Sequence, residues 1–425
     1  MLKKVLSIFT VKQIRRRILF TIAMLVVFRL MAAIPMPGVD AAGLAAVFDG
    51  NQLFGLLNLF TGGGLATLSI AMLGVGPYIT SSIIMQLLTS VIPRLEELQK
   101  EEGQYGRAKI NRWTRYLSIP LGVVQAYGTL VLIRSQGGEI FTDFSIATLI
   151  VTIVIAVGGS VLLMWIGEMI SEKGIGNGVS LIIFAGILAG APSSVQTFFT
   201  NYDPSQLGTI IGFLIIGLAV IMGVIFITEG QRNVPISYAR HHKGNRLFGK
   251  IATHLPLRVN QGGVLPIIFA ISILLLPGVV AGFFVNSDIT WLAASAQFIV
   301  EIAQNPVVYS LTYFVLVMAF TYFYTALMFD AKNVAENVQK SGGFVPGIRP
   351  GEPTANYLRY VVNRITFAGA IFLGVIAILP FLMQTSSSVA SFTIGGTSLL
   401  IVVSVALETM KQIEAQMITR DYETF

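Results

Sequence analysis

The chain alternates between long apolar segments and shorter polar ones, and this pattern defines its class. Ten apolar segments approach the length of about 20 residues that a helix needs to cross roughly 30 Å of hydrocarbon. In chain order they are about Ile18–Pro35, Val75–Ile92, Trp113–Ile133, Ser145–Gly167, Asn177–Pro192, Leu207–Thr228, Gly262–Val285, Pro306–Phe329, Leu358–Met383 and Ile394–Met410. The pattern predicts an all-α polytopic membrane protein with ten transmembrane helices.

The order of the ten segments indicates two halves. Division near Leu207 leaves five segments on each side, and an odd number makes the halves cross the bilayer in opposite senses, as in an inverted repeat. The second and seventh segments are then counterparts, and both begin with Gly and Pro, in GVGPYI and GGVLPII. We therefore predict a clamshell, with helices 1–5 in residues 1–200, helices 6–10 in residues 201–425, and a path between them.

One apolar stretch, Gly62–Pro93, is interrupted in its first half by helix-breaking residues. The breaks are Gly62, Gly63, Gly64, Gly74, Gly76 and Pro77. Glycine is a poor helix former and proline donates no backbone hydrogen bond, so we expect a break near Gly74–Pro77. Non-helical backbone at membrane depth must be buried in protein or line a watery cavity. The stretch is therefore either part of a pore, folded back as a half-helix before Gly74, or an ordinary helix after a glycine-rich loop.

Charge predicts the orientation. Lys and Arg cluster before the first segment and after the second, sixth and eighth, whereas Met36–Ala71, Ser193–Gln206, Asn286–Asn305 and Gln384–Thr393 contain none. Basic residues stay on the cytoplasmic side, so both termini are expected there, facing anionic lipid. The first segment is long and contains Arg29, so we do not expect a cleaved signal peptide. Arg29 is either functional or a residue that reaches the nearby interface.

Two long cytoplasmic segments are candidates for docking a partner. Glu229–Gln261 carries Arg232, Arg240, Arg246 and Arg258 with a single acidic residue, and Asp330–Tyr357 ends in SGGFVPGIRPGEPT. Prolines and glycines stiffen that second tip, which would present Arg349 on a rigid support. The alternative is a pair of solvated loops that face only lipid headgroups.

The sequence offers little catalytic chemistry. All three histidines lie in Glu229–Gln261 and the chain has no cysteine, so no serine in a membrane segment has a histidine to activate it. We predict no enzymatic activity, no cofactor and no metal site. An ion-coupled secondary transporter shares inverted repeats and broken helices, but it needs ionisable groups near the midplane. Besides Arg29, the candidates Glu168 and Glu408 lie at cytoplasmic helix ends.

Isoleucine follows each predicted break. These residues are Ile79, Ile83, Ile183, Ile268 and Ile401. Apolar side chains that converge on a path form a dewetted constriction, which blocks ions without binding them. Each isoleucine taken alone could equally face lipid.

Seven strings, in order along the chain, resemble those of the SecY family, the channel subunits of the bacterial Sec protein-conducting translocon. They are FRLMAAIPMPGVD, GPYITSSIIMQLL, GEMISEKGIGNGVSLIIFAGI, THLPLRVNQGGVLPIIFA, FTYFYTAL, SGGFVPGIRPG and GGTSLLIVV. The resemblance implies a channel in the cytoplasmic membrane that passes unfolded polypeptides and releases transmembrane segments sideways. It also implies SecE, SecG, the SecA motor ATPase, the ribosome, signal sequences and unfolded preproteins as partners.

The same resemblance assigns expected roles to particular residues. The constriction ring would be Ile79, Ile83, Ile183, Ile268 and Ile401, and the docking arginines would include Arg246 and Arg349. A plug near Asn58–Leu68 would comprise Asn58, Leu59, Phe60, Thr61, Gly62, Gly63, Gly64 and Leu65. The sideways gate would open between the second and seventh helices, and Gln86 and Gln125 are expected there from their helix positions.

Overall fold

The protein is described by a computed structural model. It describes residues 11–37, 58, 61–65, 67–100, 102–135, 145–200, 207–238, 242–243, 246–247, 252–282, 284, 289–386 and 396–423.

Helices dominate these residues. They are α1 (Lys12–Ala33), α2 (Gly76–Val91), α3 (Pro93–Lys100), α4 (Gly103–Ser135), α5 (Ile146–Lys173), α6 (Gly178–Thr200), α7 (Leu207–Glu229), α8 (Leu265–Gly282), α9 (Thr290–Gln304), α10 (Pro306–Met328), α11 (Ala331–Lys340), α12 (Glu352–Ser386) and α13 (Gly396–Glu423). The strands are β1 (Gln231–Tyr238), β2 (His242–Lys243), β3 (Arg246–Leu247), β4 (Ala252–Arg258) and β5 (Gly343–Phe344).

Each predicted apolar segment corresponds to one helix: α1, α2, α4, α5, α6, α7, α8, α10, α12 and α13. Helix α4 has 33 residues and begins ten residues before its apolar segment, because a helix can continue from the membrane into water. The short helices α3, α9 and α11 were not predicted. Helix α9 lies within Asn286–Asn305, a segment that contains no Lys or Arg.

Four helical stretches in the described part of the chain are long and apolar enough to cross a membrane unaided. They are Gly103–Arg134, Ile146–Lys173, Pro306–Lys340 and Glu352–Leu379, and shorter apolar helices include Gly178–Pro192, Leu214–Glu229 and Leu265–Gly278. Helix α2 has 16 residues, which gives about 24 Å of length and falls short of the hydrocarbon thickness. Turns, most of them buried, precede α2.

The two segments predicted to be cytoplasmic loops contain strands, so the prediction of loops is wrong. Strand β1 pairs antiparallel with β4 and β5 in the order β4–β1–β5, while β2 pairs with β3. Ser237 and Tyr238 of β1 lie opposite Phe344 and Gly343 of β5. The sheet therefore joins Glu229–Gln261 to Asp330–Tyr357.

A hydrophobic cluster, which we call the sheet cluster, fixes this sheet to the helices. It includes Val234 and Leu257 from the sheet and Ala335 and Leu358 from α11 and α12. All four side chains are buried. Burial of apolar surface stabilises their contact, so the two segments form a single folded unit at the N-terminal end of α12.

Close helix packing depends on two glycines. A side chain at Gly159 of α5 would collide with the carbonyl oxygen of Ile70, and one at Gly178 of α6 would collide with that of Gly167. Missing side chains let backbones approach closely, as in many membrane helix contacts. The turns before α2 and the start of α6 are thereby held against α5.

Ion pairs join helices within each half. Arg115 Nε of α4 lies 2.8 Å from Glu168 Oε1 of α5, and Lys411 Nζ of α13 lies 2.8 Å from Glu229 Oε1 of α7. These pairs are partly exposed and each contributes little to stability. Glu168 and Glu229 therefore each contact a neighbouring helix of the same half.

Candidate functional site

The five predicted ring isoleucines lie in one buried hydrophobic cluster. Each is at most 5% exposed, and all belong to a hydrophobic cluster that also contains Phe28 and Leu163. They come from α2, α6, α8 and α13, so both halves contribute. We call this set, Ile79, Ile83, Ile183, Ile268 and Ile401, the isoleucine cluster.

Buried side chains in the described residues carry no charged group. The buried polar residues are serines and threonines, together with Asn260, and the described ranges contain no buried Lys, Arg, Asp, Glu or His. Within the same ranges no group of His, Asp and Glu is arranged to hold a metal ion. The interior can therefore close around an apolar centre without charged ligands.

Residues 61–65 and 67–75, between α1 and α2, are not helical, and most of them are buried in turns. Leu65, Leu68 and Met72 are at most 1% exposed and pack with Leu130 and Ile133 of α4. This confirms the predicted break, because α2 begins at Gly76 and Gly74 has a φ of 56°. The expected half-helix falls mainly outside the described residues, and residues 61–65 are turns.

The buried turns bond largely to themselves. The N–H groups of Ser69, Met72 and Gly74 donate to the carbonyl oxygens of Gly64, Ser69 and Ala71 at 2.8–2.9 Å. The Ser69 hydroxyl also donates to Gly64 O at 3.1 Å and accepts from the N–H of Ala71 at 3.2 Å. Backbone at membrane depth needs such partners, and a buried serine supplies two of them.

The end of α1 supplies further partners. The N–H of Ile70 donates to Ile34 O at 3.1 Å, and the N–H of Met36 donates to Leu68 O at 2.9 Å. Arg29 Nη1 donates to the carbonyl oxygen of Gly62 at 3.0 Å. Arg29 thus contacts the predicted plug, which its sequence position near the interface did not reveal.

The predicted plug is described only in part. Asn58, Thr61, Gly62, Gly63, Gly64 and Leu65 are described, whereas Leu59 and Phe60 lie outside the described residues. The Thr61 hydroxyl donates to Asn58 O at 3.1 Å and accepts from the N–H of Leu65 at 3.2 Å. Thr61 is 7% exposed and Leu65 is 1% exposed, so this short segment is packed inside the protein.

The two predicted gate glutamines have different surroundings. Gln125 Nε2 of α4 donates to Thr80 Oγ1 of α2 at 3.1 Å, which joins the two helices. Gln86 Nε2 donates to Ser82 within α2 at 3.4 Å, and its buried Oε1 accepts no hydrogen bond from the described residues. Helix α8 packs against both α2 and α4, so both glutamines lie on helices that meet across the two halves.

Two of the predicted docking arginines, Arg232 and Arg258, lie on one pair of strands. In the β1–β4 pairing, Arg232 lies opposite Leu257, and Gln231 lies opposite Arg258. Neighbouring strand residues point to opposite faces, so Arg232 and Arg258 lie on opposite faces of the hairpin. Arg246 belongs to β3, and Arg240 lies outside the described residues.

Arg349 is displayed as the sequence predicted. Its side chain is exposed, while the buried hydroxyl of Thr354 donates to the Arg349 carbonyl oxygen at 2.9 Å. The N–H of Ile348 donates to the carbonyl oxygen of Val345, a buried residue of the sheet cluster. The backbone at Arg349 is thus held by hydrogen bonds, while its guanidinium group is exposed.

Comparison with known proteins identifies the family. The SecY family model matches residues 69–410, which include α2, the isoleucine cluster and the sheet. The chain belongs to the SecY family. The match begins within the buried turns and ends in α13, so it covers both halves of the fold.

Curated members of the SecY family match over nearly the whole chain. Protein translocase subunit SecY of Mycobacterium bovis is 42% identical over 448 residues, with all of both chains covered. The protein of the same name from Streptomyces galbus is 43% identical over 434 residues, with 98% of each chain covered.

Solved structures share the SecY fold at lower identity. A protein-conducting channel matches with a TM-score of 0.64 and 20% identity, covering 96% of this chain and 94% of that one. A SecY protein, whose plug domain is described as stabilising the closed state and maintaining a membrane seal, gives a TM-score of 0.63 and 18% identity, with the same coverage. The predicted ten-helix clamshell class is thereby confirmed.

Proposed function

We propose that this chain is a protein-conducting channel that passes unfolded polypeptides across the cytoplasmic membrane and releases transmembrane segments sideways into lipid. The observation that carries this proposal is the isoleucine cluster, which both halves form and which is buried without charged groups in the described residues. An apolar throat binds no single side chain strongly, so it suits a substrate of varied sequence. The curated relatives carry the name of a protein translocase subunit, which supports the proposal.

The ion-coupled transporter is less well supported. Coupling ions are usually held by ionisable side chains inside the membrane, whereas the buried polar residues described here are Ser, Thr and Asn. Glu168 is paired with Arg115 in a partly exposed contact. A channel would also explain why a set of buried isoleucines follows the helix breaks.

We assign the resting seal to two elements in series. The isoleucine cluster would form the constriction, and the segment 58–65 would be the plug on its external side. Residues 1–200 and 201–425 would be the two halves that separate when the channel opens. Gln86 and Gln125 would line the sideways gate, since they lie on α2 and α4 where α8 packs against both.

The folded cytoplasmic unit is the proposed docking surface. Arg232, Arg240, Arg246, Arg258 and Arg349 would contact the SecA motor or the ribosome, which must supply the driving force because we found no nucleotide-binding motif in the sequence. A related structure shows Sec61 in a canine ribosome–channel complex, at 19% identity and a TM-score of 0.62. SecE and SecG would be the membrane partners of the two halves.

The proposed orientation places both termini and the docking surface in the cytoplasm. The chain contains no cysteine, so a single cysteine can be labelled selectively. Ser341→Cys and Ser295→Cys both replace exposed residues. A membrane-impermeant thiol reagent added outside intact cells should label position 295 and spare position 341, and the reverse pattern would contradict the orientation.

The seal can be tested by removing side chains from the isoleucine cluster. Ion leakage is driven by about 2.3 kcal/mol per charge at 100 mV, so the resting channel needs a tight apolar contact. Ile83→Gly with Ile183→Gly should leave the plug as the main barrier and give a measurable resting conductance in planar bilayers, with protein export retained. Deletion of residues 58–65 in that variant should increase the conductance further.

The matched control for the double variant is Leu218→Gly with Leu214→Gly, which changes exposed positions on α7 and should leave the conductance unchanged. A transporter would instead lose substrate flux without a new conductance. An Ile83→Gly, Ile183→Gly protein that folds normally, stays tight to ions and is unaffected by the plug deletion would refute the proposed seal.

Arg349 can be tested for docking because its backbone is fixed independently of its side chain. A residue that dominates an interface contributes about 2 kcal/mol or more, so Arg349→Glu should reduce motor-dependent export at limiting motor concentration by at least about tenfold. The heat stability of the detergent-extracted protein should not change. Arg359→Glu replaces another exposed arginine, on α12, and should have little effect. Equal export by both variants would remove Arg349 from the surface.

A further inference from the structure

Gly62, at the centre of the described plug residues, makes unusually close contacts with two helices. It has a φ of 72°, and a side chain there would lie 2.5 Å from Phe28 Cζ of α1 and 3.3 Å from Gly186 Cα of α6. Phe28 itself is fully buried. Both the backbone conformation and the available space therefore require glycine at this position.

Gly186 of α6 is the reciprocal half of this contact. A side chain at Gly186 would collide with Gly62 Cα and would lie 3.1 and 3.2 Å from the carbonyl carbon and the nitrogen of Gly62. These atoms belong to backbone, so no rotation of a side chain relieves the collision. The plug can occupy its place only because α6 has no side chain at residue 186.

Arg29 of α1 also bonds to Gly62. Its Nη1 donates to the Gly62 carbonyl oxygen at 3.0 Å, and a side chain at Gly63 would lie 3.6 Å from that nitrogen. Hydrogen bonds from an ionised donor are stronger than neutral ones. Arg29 thus provides a directional bond to a peptide carbonyl of the plug.

Further described contacts of this segment come from the same half of the protein. Leu65 packs with Ala126, Leu130 and Ile133 of α4 and with Ala156 of α5. Together with Phe28, Arg29 and Gly186, these residues belong to helices α1, α4, α5 and α6, all in residues 1–200.

We propose that Arg29 and Gly186 are positioning residues for the plug, which set its closed place by one hydrogen bond to Gly62 and one backbone contact with it. This inference rests on the proposed seal. It further implies that the plug is attached to the N-terminal half, so that movement of the C-terminal half alone does not displace it. Weakening either contact should release the plug without opening the halves.

The position of the plug can be measured separately from conductance. Thr61→Cys and Leu65→Cys place single thiols at buried plug positions in a chain without cysteine. Both thiols should react slowly with a membrane-impermeant reagent from outside. Ser404→Cys in α13 is a buried reporter distant in sequence from the plug, and it should stay unreactive in every variant that remains folded.

Gly186→Ala should increase labelling of both plug thiols by about tenfold or more, because the added methyl cannot fit against Gly62. The matched control is Gly190→Ala, one turn further along α6, where a side chain would meet no heavy atom within 4 Å. Alanine favours the helix equally at both positions. Only Gly186→Ala should raise labelling and resting conductance.

Arg29→Met removes the donor and keeps the apolar stem, and should also raise labelling by about tenfold, the effect expected for loss of a hydrogen bond from a charged group. Arg29→Lys retains a donor and should restore most of the protection. A residue needed only for packing would not distinguish Met from Lys in this way.

The outcomes separate this inference from the proposed function. If deletion of residues 58–65 raises resting conductance but Gly186→Ala and Arg29→Met change neither labelling nor conductance, the positioning role is wrong and the seal stands. If the variants increase labelling while neither they nor the deletion changes conductance, the two residues position the segment but the segment is not the seal. Equal effects of Gly186→Ala and Gly190→Ala would also overturn the inference.

Discussion

The structure depends on one constraint: backbone that leaves the helical conformation inside a membrane must find its hydrogen-bond partners within the protein. Ser69, Ile70 and Ala71 meet this constraint with the Ser69 side chain and the carbonyl oxygens of Ile34 and Gly64. The unwound stretch leaves α2 short, with 16 residues. The described residues before it contact α1, α4, α5 and α6.

The same arrangement explains how an apolar centre can serve a polar substrate. Isoleucines from α2, α6, α8 and α13 belong to one buried hydrophobic cluster, and the described interior holds no buried charged residue. An apolar constriction excludes ions by dewetting, and it can be parted without breaking ion pairs. The described ion pairs between helices, Arg115–Glu168 and Glu229–Lys411, lie within one half or the other.

Much of the fold was predictable because membrane burial produces long apolar runs, and glycine with proline marks breaks. Those signals located the ten main helices and the start of α2. They did not reveal β1 and β4, although Val234 with Ile236 and Leu255 with Leu257 alternate as strands do, because the charge of Glu229–Gln261 dominated the interpretation. The contacts of Arg29 and Gly186 with Gly62 join residues 33 and 124 positions away. Such distant contacts leave no local pattern.

The central claim is that a translocating polypeptide passes through the isoleucine cluster. A photoreactive residue placed singly at Ile83, Ile183, Ile268 or Ile401 should crosslink to an export substrate arrested halfway through the membrane. The same residue at Leu218, which is 62% exposed on α7, should not. Crosslinks at the four cluster positions and none at Leu218 are the predicted result. An arrested substrate that crosslinks at none of the four, or equally at Leu218, would contradict the account.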